Sequence, residues 1–186
     1  MKKIAIFASG SGSNAENITK YFKGDTKVEV AAILTNNPRA FVLSRAKNLN
    51  IPTYIFSKKE FYETDKIIRY LADKEIDFVV LAGFLWLLPT NLLRKFPNSI
   101  LNIHPALLPK YGGKGMFGMK VHEAVVLNKE KESGITIHFV NEKYDEGKIV
   151  FQSKCVLNPS DTPEQVAEKV HQLEYEYFPK IIEQLL

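Results

Sequence analysis

KIAIFASGSGSNAENITKYF, Lys3 to Phe22, begins as a short apolar run, breaks into alternating glycine and serine, and resumes as a helical pattern. The run Lys3–Ala8 is bounded by turn formers and predicts a strand. Its apolar residues are continuous rather than alternating, which implies burial on both faces, as in a parallel sheet covered by helices. The same signature recurs in VEVAAILT (Val28–Thr35), IPTYIF (Ile51–Phe56), FVVLA (Phe78–Ala82) and SILNI (Ser99–Ile103). Amphipathic stretches lie between them. One is KEFYETDKIIRYLADKEI (Lys59–Ile76), whose Phe61, Ile67, Ile68 and Leu71 form a single apolar stripe of a predicted helix. This β-α-β-α order predicts an α/β, doubly wound, Rossmann-like fold with a mostly parallel sheet.

After about Gly118 the pattern changes. A helix is expected near Met119–Leu127, followed by SGITIHFVNEKYDEGKIVFQSKCVL, two strands separated by a turn. ITIHFV alternates, with Ile135, Ile137 and Phe139 on one face, so an antiparallel C-terminal strand pair is expected. A long C-terminal helix follows. Thr162 is its expected N-cap, Pro163 suits the first helical position and Gln165 completes a capping box. Val166, Val170, Leu173 and Tyr177 give its buried stripe. No linker, repeat or low-complexity segment divides the 186 residues, so a single domain, 1–186, is expected, with halves 1–100 and 101–186.

Apolar residues make up 45% and charged residues 25%, ordinary values for a soluble globular chain. The net charge of +4 comes without any basic run dense enough to suggest a nucleic-acid tail. A single cysteine, Cys155, excludes an intrachain disulfide and a cysteine metal cluster. Lying in IVFQSKCV, it reads as a core thiol. The apolar part of the N-terminus is too short for a signal peptide. The longest apolar run, Phe78–Leu88, falls well short of the roughly 20 residues of a membrane helix. A cytoplasmic location is expected, with no membrane and no nucleic-acid partner.

Gly10, Gly12 and Ala15 fit the G-x-G-x-x-A dinucleotide fingerprint, between a strand and a helix. That reading requires an acidic residue at the end of the second strand, where Thr35-Asn36-Asn37 stands instead. Arg39 could meet a 2′-phosphate, which keeps an NADP-dependent oxidoreductase as an alternative. A phosphate monoester held by Gly12, Ser13 and Asn14 is the second reading. A plain turn capped by Ser13 or Asn14 is the third. Two glycines and a polar pair exceed what a turn requires, so anion binding is favoured.

The fifth predicted strand leads into ILNIHPALLPKYGGKG, Ile100–Gly115. Asn102 and His104 share a side of the chain at the C-terminal end of that strand, where ligands sit in open α/β sheets. Pro105 ends the strand. Asn can donate to a developing oxyanion and His can exchange a proton near neutral pH. No partner with metal-ligand spacing lies near His104, so no metal is expected. The carboxylate to orient His104 is sought in NEKYDEGKIV, where Asp145 is either that group or part of an ordinary Asp-Glu-Gly turn. His122, His138 and His171 are weaker candidates; His138 lies opposite the isoleucines of ITIHFV.

SGSGSN, LAGFLWLL, NIHPALLPKYGGKG, HFVNEKYDEG and LEYEYFP, in that order, resemble the phosphoribosylglycinamide formyltransferase family over essentially the whole chain. NIHPALLP is the most specific piece, with Asp145 at the position of the family's catalytic aspartate. The resemblance implies transfer of a formyl group from the co-substrate 10-formyltetrahydrofolate to the amine of glycinamide ribonucleotide in purine biosynthesis, without a metal. It implies Asn102, protonated His104 and Asp145 as the catalytic set, and Gly12, Ser13 and Asn14 as the phosphate site. It places Glu174 at the substrate's amino end. Leu85, Trp86, Leu87 and Leu88 would line the folate pocket together with Asn102, backbone groups reading the pterin, and Lys59 would meet the glutamate tail.

The segment KYGGKGMFGMKVH is longer and richer in glycine than the common family pattern, and Tyr175 stands where a His is frequent. His171, one turn before Glu174, is placed to face the same site and reach the phosphate. The partners implied are small molecules, with the chain a monomer or homodimer. Formyltetrahydrofolate hydrolase is the nearest alternative within the same chemistry.

Overall fold

The computed structural model describes residues 1–186. Strand β1 (Lys2–Phe7) sends Ile4 and Ile6 into one core and Ala5 and Phe7 into another, all of them fully buried. Each such isoleucine or phenylalanine contributes about 1.5–3 kcal/mol of burial. This two-sided demand explains why the strand is apolar from Ile4 onward, past the exposed Lys2 and half-buried Lys3. On the first face pack α1 (Ser13–Tyr21), α2 (Val42–Asn48), α6 (Met119–Leu127) and α7 (Pro163–Leu185), through residues such as Ile18, Val42, Val125, Val170 and Phe178. On the second pack α3 (Lys58–Glu63), α4 (Lys66–Asp73) and α5 (Thr90–Lys95), through Phe61, Ile67, Leu71 and Leu92.

The remaining strands are β2 (Val28–Thr35), β3 (Thr53–Ile55), β4 (Phe78–Leu81), β5 (Ile100–His104), β6 (Glu132–Phe139) and β7 (Ile149–Val156). They form one seven-stranded sheet in the order β3-β2-β1-β4-β5-β6-β7. β1 to β5 are parallel, while β6 runs antiparallel to both β5 and β7. The fold is therefore the expected doubly wound α/β architecture with an antiparallel C-terminal pair. Because β6 is flanked on both sides, Thr136 and His138 on its polar face are as buried as Ile135 and Ile137.

Two local details differ from or sharpen the sequence reading. The expected helix over Lys59–Ile76 is broken at Thr64, which is extended at φ −138° and ψ 164°. Its hydroxyl donates to the Glu60 carbonyl (2.9 Å) and accepts from the Lys66 amide (3.3 Å), ending one helix and starting the next. The apolar stripe survives the break, with Ile68 packed beside the buried Phe61, Ile67 and Leu71. The start of α7 follows expectation. Thr162 Oγ1 accepts from the Gln165 amide and Gln165 Oε1 accepts from the Thr162 amide, a cap worth about 1 kcal/mol. Cys155 is half-buried against the first core, and burial pushes its thiol up.

The strand order reverses between β1 and β4, so a crevice opens at their C-terminal ends. The register carries one row across the sheet there, Phe7–Leu81–Asn102–His138. The β6–β7 pairing shifts at His138, a bulge beside that row. No helix is long and apolar enough to cross a membrane.

Candidate active site

The glycine loop leaves β1 directly above the row. Its Ser9 amide donates to the Gly83 carbonyl (3.0 Å) and its Ser9 hydroxyl accepts from the Leu85 amide (3.1 Å), tying it to the loop after β4. Gly12 is the N-cap of α1 at φ 72°, in the left-handed region. A Cβ there would lie 2.3 Å from Val42 Cγ2, so only glycine fits against α2. Neither Ser13 nor Asn14 caps the helix, as the plain-turn reading required, and no side chain fills the donors of its first turn. Those N–H groups and the helix dipole make an anion site. Arg45 braces the loop, its Nε donating to the Ser11 carbonyl (3.0 Å) while its guanidinium pairs with Glu16. Gly12→Ala is expected to raise the KM for a phosphorylated substrate at least tenfold and lower Tm, since φ strain and the Val42 clash act together. Steady-state kinetics and a melting curve check both.

β5 delivers Asn102 and His104, and a bulged β6 delivers His138 opposite Asn102. His104 is 4% exposed. Its Nε2 donates to the Tyr111 carbonyl (2.7 Å), which leaves Nδ1 as the free lone pair. That nitrogen lies 3.5 Å from Asp145 Oδ2, within ion-pair range and too long for a strong hydrogen bond. Asp145 reaches in from the β6–β7 turn at φ 55°, a left-handed conformation that Asp tolerates. Its Oδ2 accepts from the Gly113 amide (2.9 Å) and its Oδ1 lies 3.6 Å from His138 Nε2. His138 Nδ1 donates to the Phe139 carbonyl (2.9 Å), so its Nε2 accepts from Asn102 Nδ2 (3.1 Å). One N–H of the Asn102 amide remains for a ligand.

Burial pushes the His104 imidazole down, and the nearby Asp145 charge and the Tyr111 carbonyl only partly restore it, so His104 is neutral at pH 7. For Asp145, burial acts upward. The neighbouring His138 and His104 rings and the Gly113 amide outweigh it, holding the carboxyl below its usual range. The pair therefore rests as neutral imidazole beside carboxylate.

From α7, Glu174 enters the same crevice, 4% exposed. Its Oε2 accepts from Asn14 Nδ2 (2.8 Å) and from His171 Nδ1 (2.8 Å), while Oε1 has no hydrogen-bond partner. The bond to Glu174 raises the His171 pKa. That pair stabilises the fold fully below about pH 6.5, and the contribution is lost as pH rises through the raised folded value. Asn14 Oδ1, an acceptor, and His122 Nδ1 are buried without a partner, two polar atoms able to meet ligand groups.

His122 packs against His171, with ring centroids 6.5 Å apart, and burial followed by the His171 charge lowers it to about 4. A depressed histidine stabilises above its unfolded pKa and loses that stability as pH falls toward the folded value. His122→Gln is expected to gain about 2 kcal/mol on wild type between pH 7.5 and pH 5. Equal stability gaps at the two pH values, from denaturant titrations, would show that His122 charges freely in the folded state.

In the loop after β4, Leu85 is 45% exposed while Leu88 sits in the second core. Trp86 stacks on Tyr62 (6.0 Å, 30°), whose hydroxyl donates to the Leu87 carbonyl (3.0 Å). With the Leu85 amide bound to Ser9 and the Leu87 carbonyl to Tyr62, the Leu85 carbonyl, the Leu87 amide and both backbone groups of Trp86 and Leu88 have no protein hydrogen-bond partner. Lys59 is exposed in the first turn of α3, three residues before Tyr62 and so on its face. No group of three His, Cys, Asp or Glu is arranged to hold a metal ion.

The structure thus gathers Gly12, Ser13, Asn14, Asn102, His104, Asp145 and Glu174 at one crevice, with residues 85–88 on its flank. It adds Tyr111, Gly113 and Tyr62, which sequence reasoning passed over, and brings in His138, which sequence reasoning ranked as a weaker candidate. For His138 the signal was present in the alternation of ITIHFV, but only pairing with β5 sets it beside Asn102. Tyr111 and Gly113 contribute backbone groups, which leave no side-chain signature.

Comparison with known proteins agrees with this architecture. The chain is 40% identical to the chloroplastic phosphoribosylglycinamide formyltransferase of Arabidopsis thaliana over 97% of its own length and 64% of the relative's, so it spans less than two thirds of that protein. It is 36% identical to the phosphoribosylglycinamide formyltransferase of Bacillus subtilis, covering all of this chain and 95% of that one. A crystal structure of phosphoribosylglycinamide formyltransferase from Bacillus halodurans matches with a TM-score of 0.88 at 36% identity, over 100% of this chain and 95% of the other. The family model described as Formyl transferase matches residues 2–182. With that match running through every strand and through the whole crevice, the chain belongs to the Formyl transferase family.

Proposed function

We propose that this chain transfers the formyl group of 10-formyltetrahydrofolate to the amine of N1-(5-phosphoribosyl)glycinamide, in de novo purine biosynthesis. The observation that carries the reading is the meeting of an open anion loop with Asn102, His104 and Asp145 at one crevice. It gains weight from relatives named phosphoribosylglycinamide formyltransferase. The chain acts on small molecules in the cytoplasm, as a monomer or homodimer.

In this reading the α1 amides, Ser13 and Asn14 hold the phosphate, and the free Glu174 Oε1 meets the amino end of the ribonucleotide. Residues 85–88 and Asn102 border the folate, and Lys59 attracts its glutamate tail. The folate supplies the formyl carbon and the leaving N10. His104 Nδ1 takes the proton that the attacking amine releases as the new carbon–nitrogen bond forms, and returns it as the bond to N10 breaks. Asn102 and the transient imidazolium donate to the formyl oxygen while it carries charge. Asp145, held by Gly113, stabilises that imidazolium without itself taking the proton.

A two-substrate assay tests the proposal. Deformylation of a 10-formylfolate analogue, followed by absorbance, is expected only when the ribonucleotide is present. Deformylation without it would make the chain a hydrolase, and none in either mixture would remove the catalytic reading. kcat should fall with acid as His104 protonates, with a midpoint below 6.5, the ordinary histidine value. A midpoint above that would place another group in the role. His171→Ala is expected to raise the ribonucleotide KM about tenfold by losing a charge-assisted contact and loosening Glu174. An unchanged KM would separate His171 from the phosphate.

A further inference from the structure

We infer that Tyr111 and Glu130 are positioning residues for His104, the bonded Tyr111 hydroxyl holding the Tyr111 carbonyl against the imidazole Nε2. Its effect on turnover rests on the role proposed for His104, whereas its geometry does not. The Tyr111 hydroxyl donates to Glu130 Oε1 (2.9 Å), which also accepts from Lys110 Nζ (3.0 Å). Glu130 is itself anchored just beyond α6, its amide donating to the Val125 carbonyl (3.2 Å). Tyr111 stands at φ 57°, a left-handed conformation unfavourable for a bulky residue. Such a conformation persists only where its surroundings over-determine it.

Packing alone does not do so here. Tyr111 packs against the first core, yet a cleft of about 270 Å³, lined by Ala106, Pro109, Tyr111, Val125, Glu130 and Ser133, opens beside it. The hydroxyl bond is what keeps the ring, and through it the left-handed backbone, in place. The consequences concentrate at the site because the next residues are equally committed. A Cβ on Gly112 would lie 2.5 Å from Leu108 Cδ2 and 3.3 Å from Asp145 Cβ, and the Gly113 amide holds Asp145. One turn, Tyr111–Gly113, therefore fixes both the imidazole and the carboxylate.

A carbonyl that accepts from Nε2–H favours the protonated ring, so releasing it lowers the His104 titration. The other groups facing His104 are Asp145 from the β6–β7 turn, His138 from β6, His122 from α6 and Glu174 from α7. Substituting Tyr111 or Glu130 removes none of these groups, and any loosening of Asp145 through Gly113 would move the titration the same way, down. The test is an NMR titration of the His104 imidazole in the full chain, with kcat and both KM values measured on the same samples. Tyr111→Phe and Glu130→Leu are expected to move the midpoint down by about half a pH unit. They should lower kcat on the order of tenfold with both KM values within about twofold.

Glu130→Gln removes the charge but keeps an acceptor, and should stay near wild type in both readouts. Circular dichroism confirms that each variant is folded. An unmoved midpoint in both Phe and Leu variants overturns the inference whatever kcat does, and so does a Gln variant as impaired as Leu. A moved midpoint with unchanged kcat upholds the positioning and removes His104 from the proposed chemistry.

Discussion

Alanine at His104 is expected to lower kcat by about 10²–10⁴-fold, the usual value of positioned acid–base help, with the ribonucleotide KM nearly unchanged. The phosphate loop lies after β1 and the imidazole after β5, so truncating the ring leaves the α1 amides, Asn14 and Glu174 in place. What is lost is the lone pair at Nδ1, and with it the group that stabilises charge on the formyl oxygen. The ring is also buried, so its removal leaves the Tyr111 carbonyl without a donor and costs stability. His104→Gln is the companion variant, because it keeps bulk and hydrogen bonding without proton transfer at neutral pH. A kcat within about threefold of wild type in both variants, by steady-state kinetics, would move the chemistry away from this residue.

The second large effect is expected at Asp145. Asp145→Asn should lose about 10²-fold or more in kcat, because a neutral amide cannot stabilise the imidazolium formed in the reaction. Asparagine tolerates φ 55°, so the turn keeps its shape, and its side-chain oxygen still accepts from Gly113. Asp145→Ala should lose at least as much and be less stable, since alanine is strained there and the Gly113 amide is orphaned. The pH profile separates charge from geometry. Removing the carboxylate takes away a contribution that raises the His104 pKa, so the acid limb of Asp145→Asn should lie at lower pH than in wild type. An acid limb that does not move, in a variant that has lost activity, would mean that Asp145 acts on something other than His104.

The sequence alone determined the layer architecture, because burial on both faces of the central stretches of β1, β2, β4 and β5 writes itself as apolar runs such as Ile4–Ala8, Val30–Leu34 and Phe78–Ala82. It also marked the ends of elements, through Gly12, Pro105 and the Thr162–Gln165 cap, whose chemistry is local. The break at Thr64 escaped it because an apolar stripe continues through a single extended residue when both flanking helices face the same core. At the site, Asn102 and His104 were legible since two residues on one strand share a side by geometry. Asp145 stayed open between turn and catalytic roles, because 41 positions of chain separate it from His104, and only the antiparallel return of β6 and β7 closes that distance. His138 beside Asn102, Glu174 bonded to Asn14, and the Tyr111 carbonyl on the imidazole depend on strand register, helix docking and backbone direction. Each of these is decided by how distant elements pack, and tertiary structure alone supplied them.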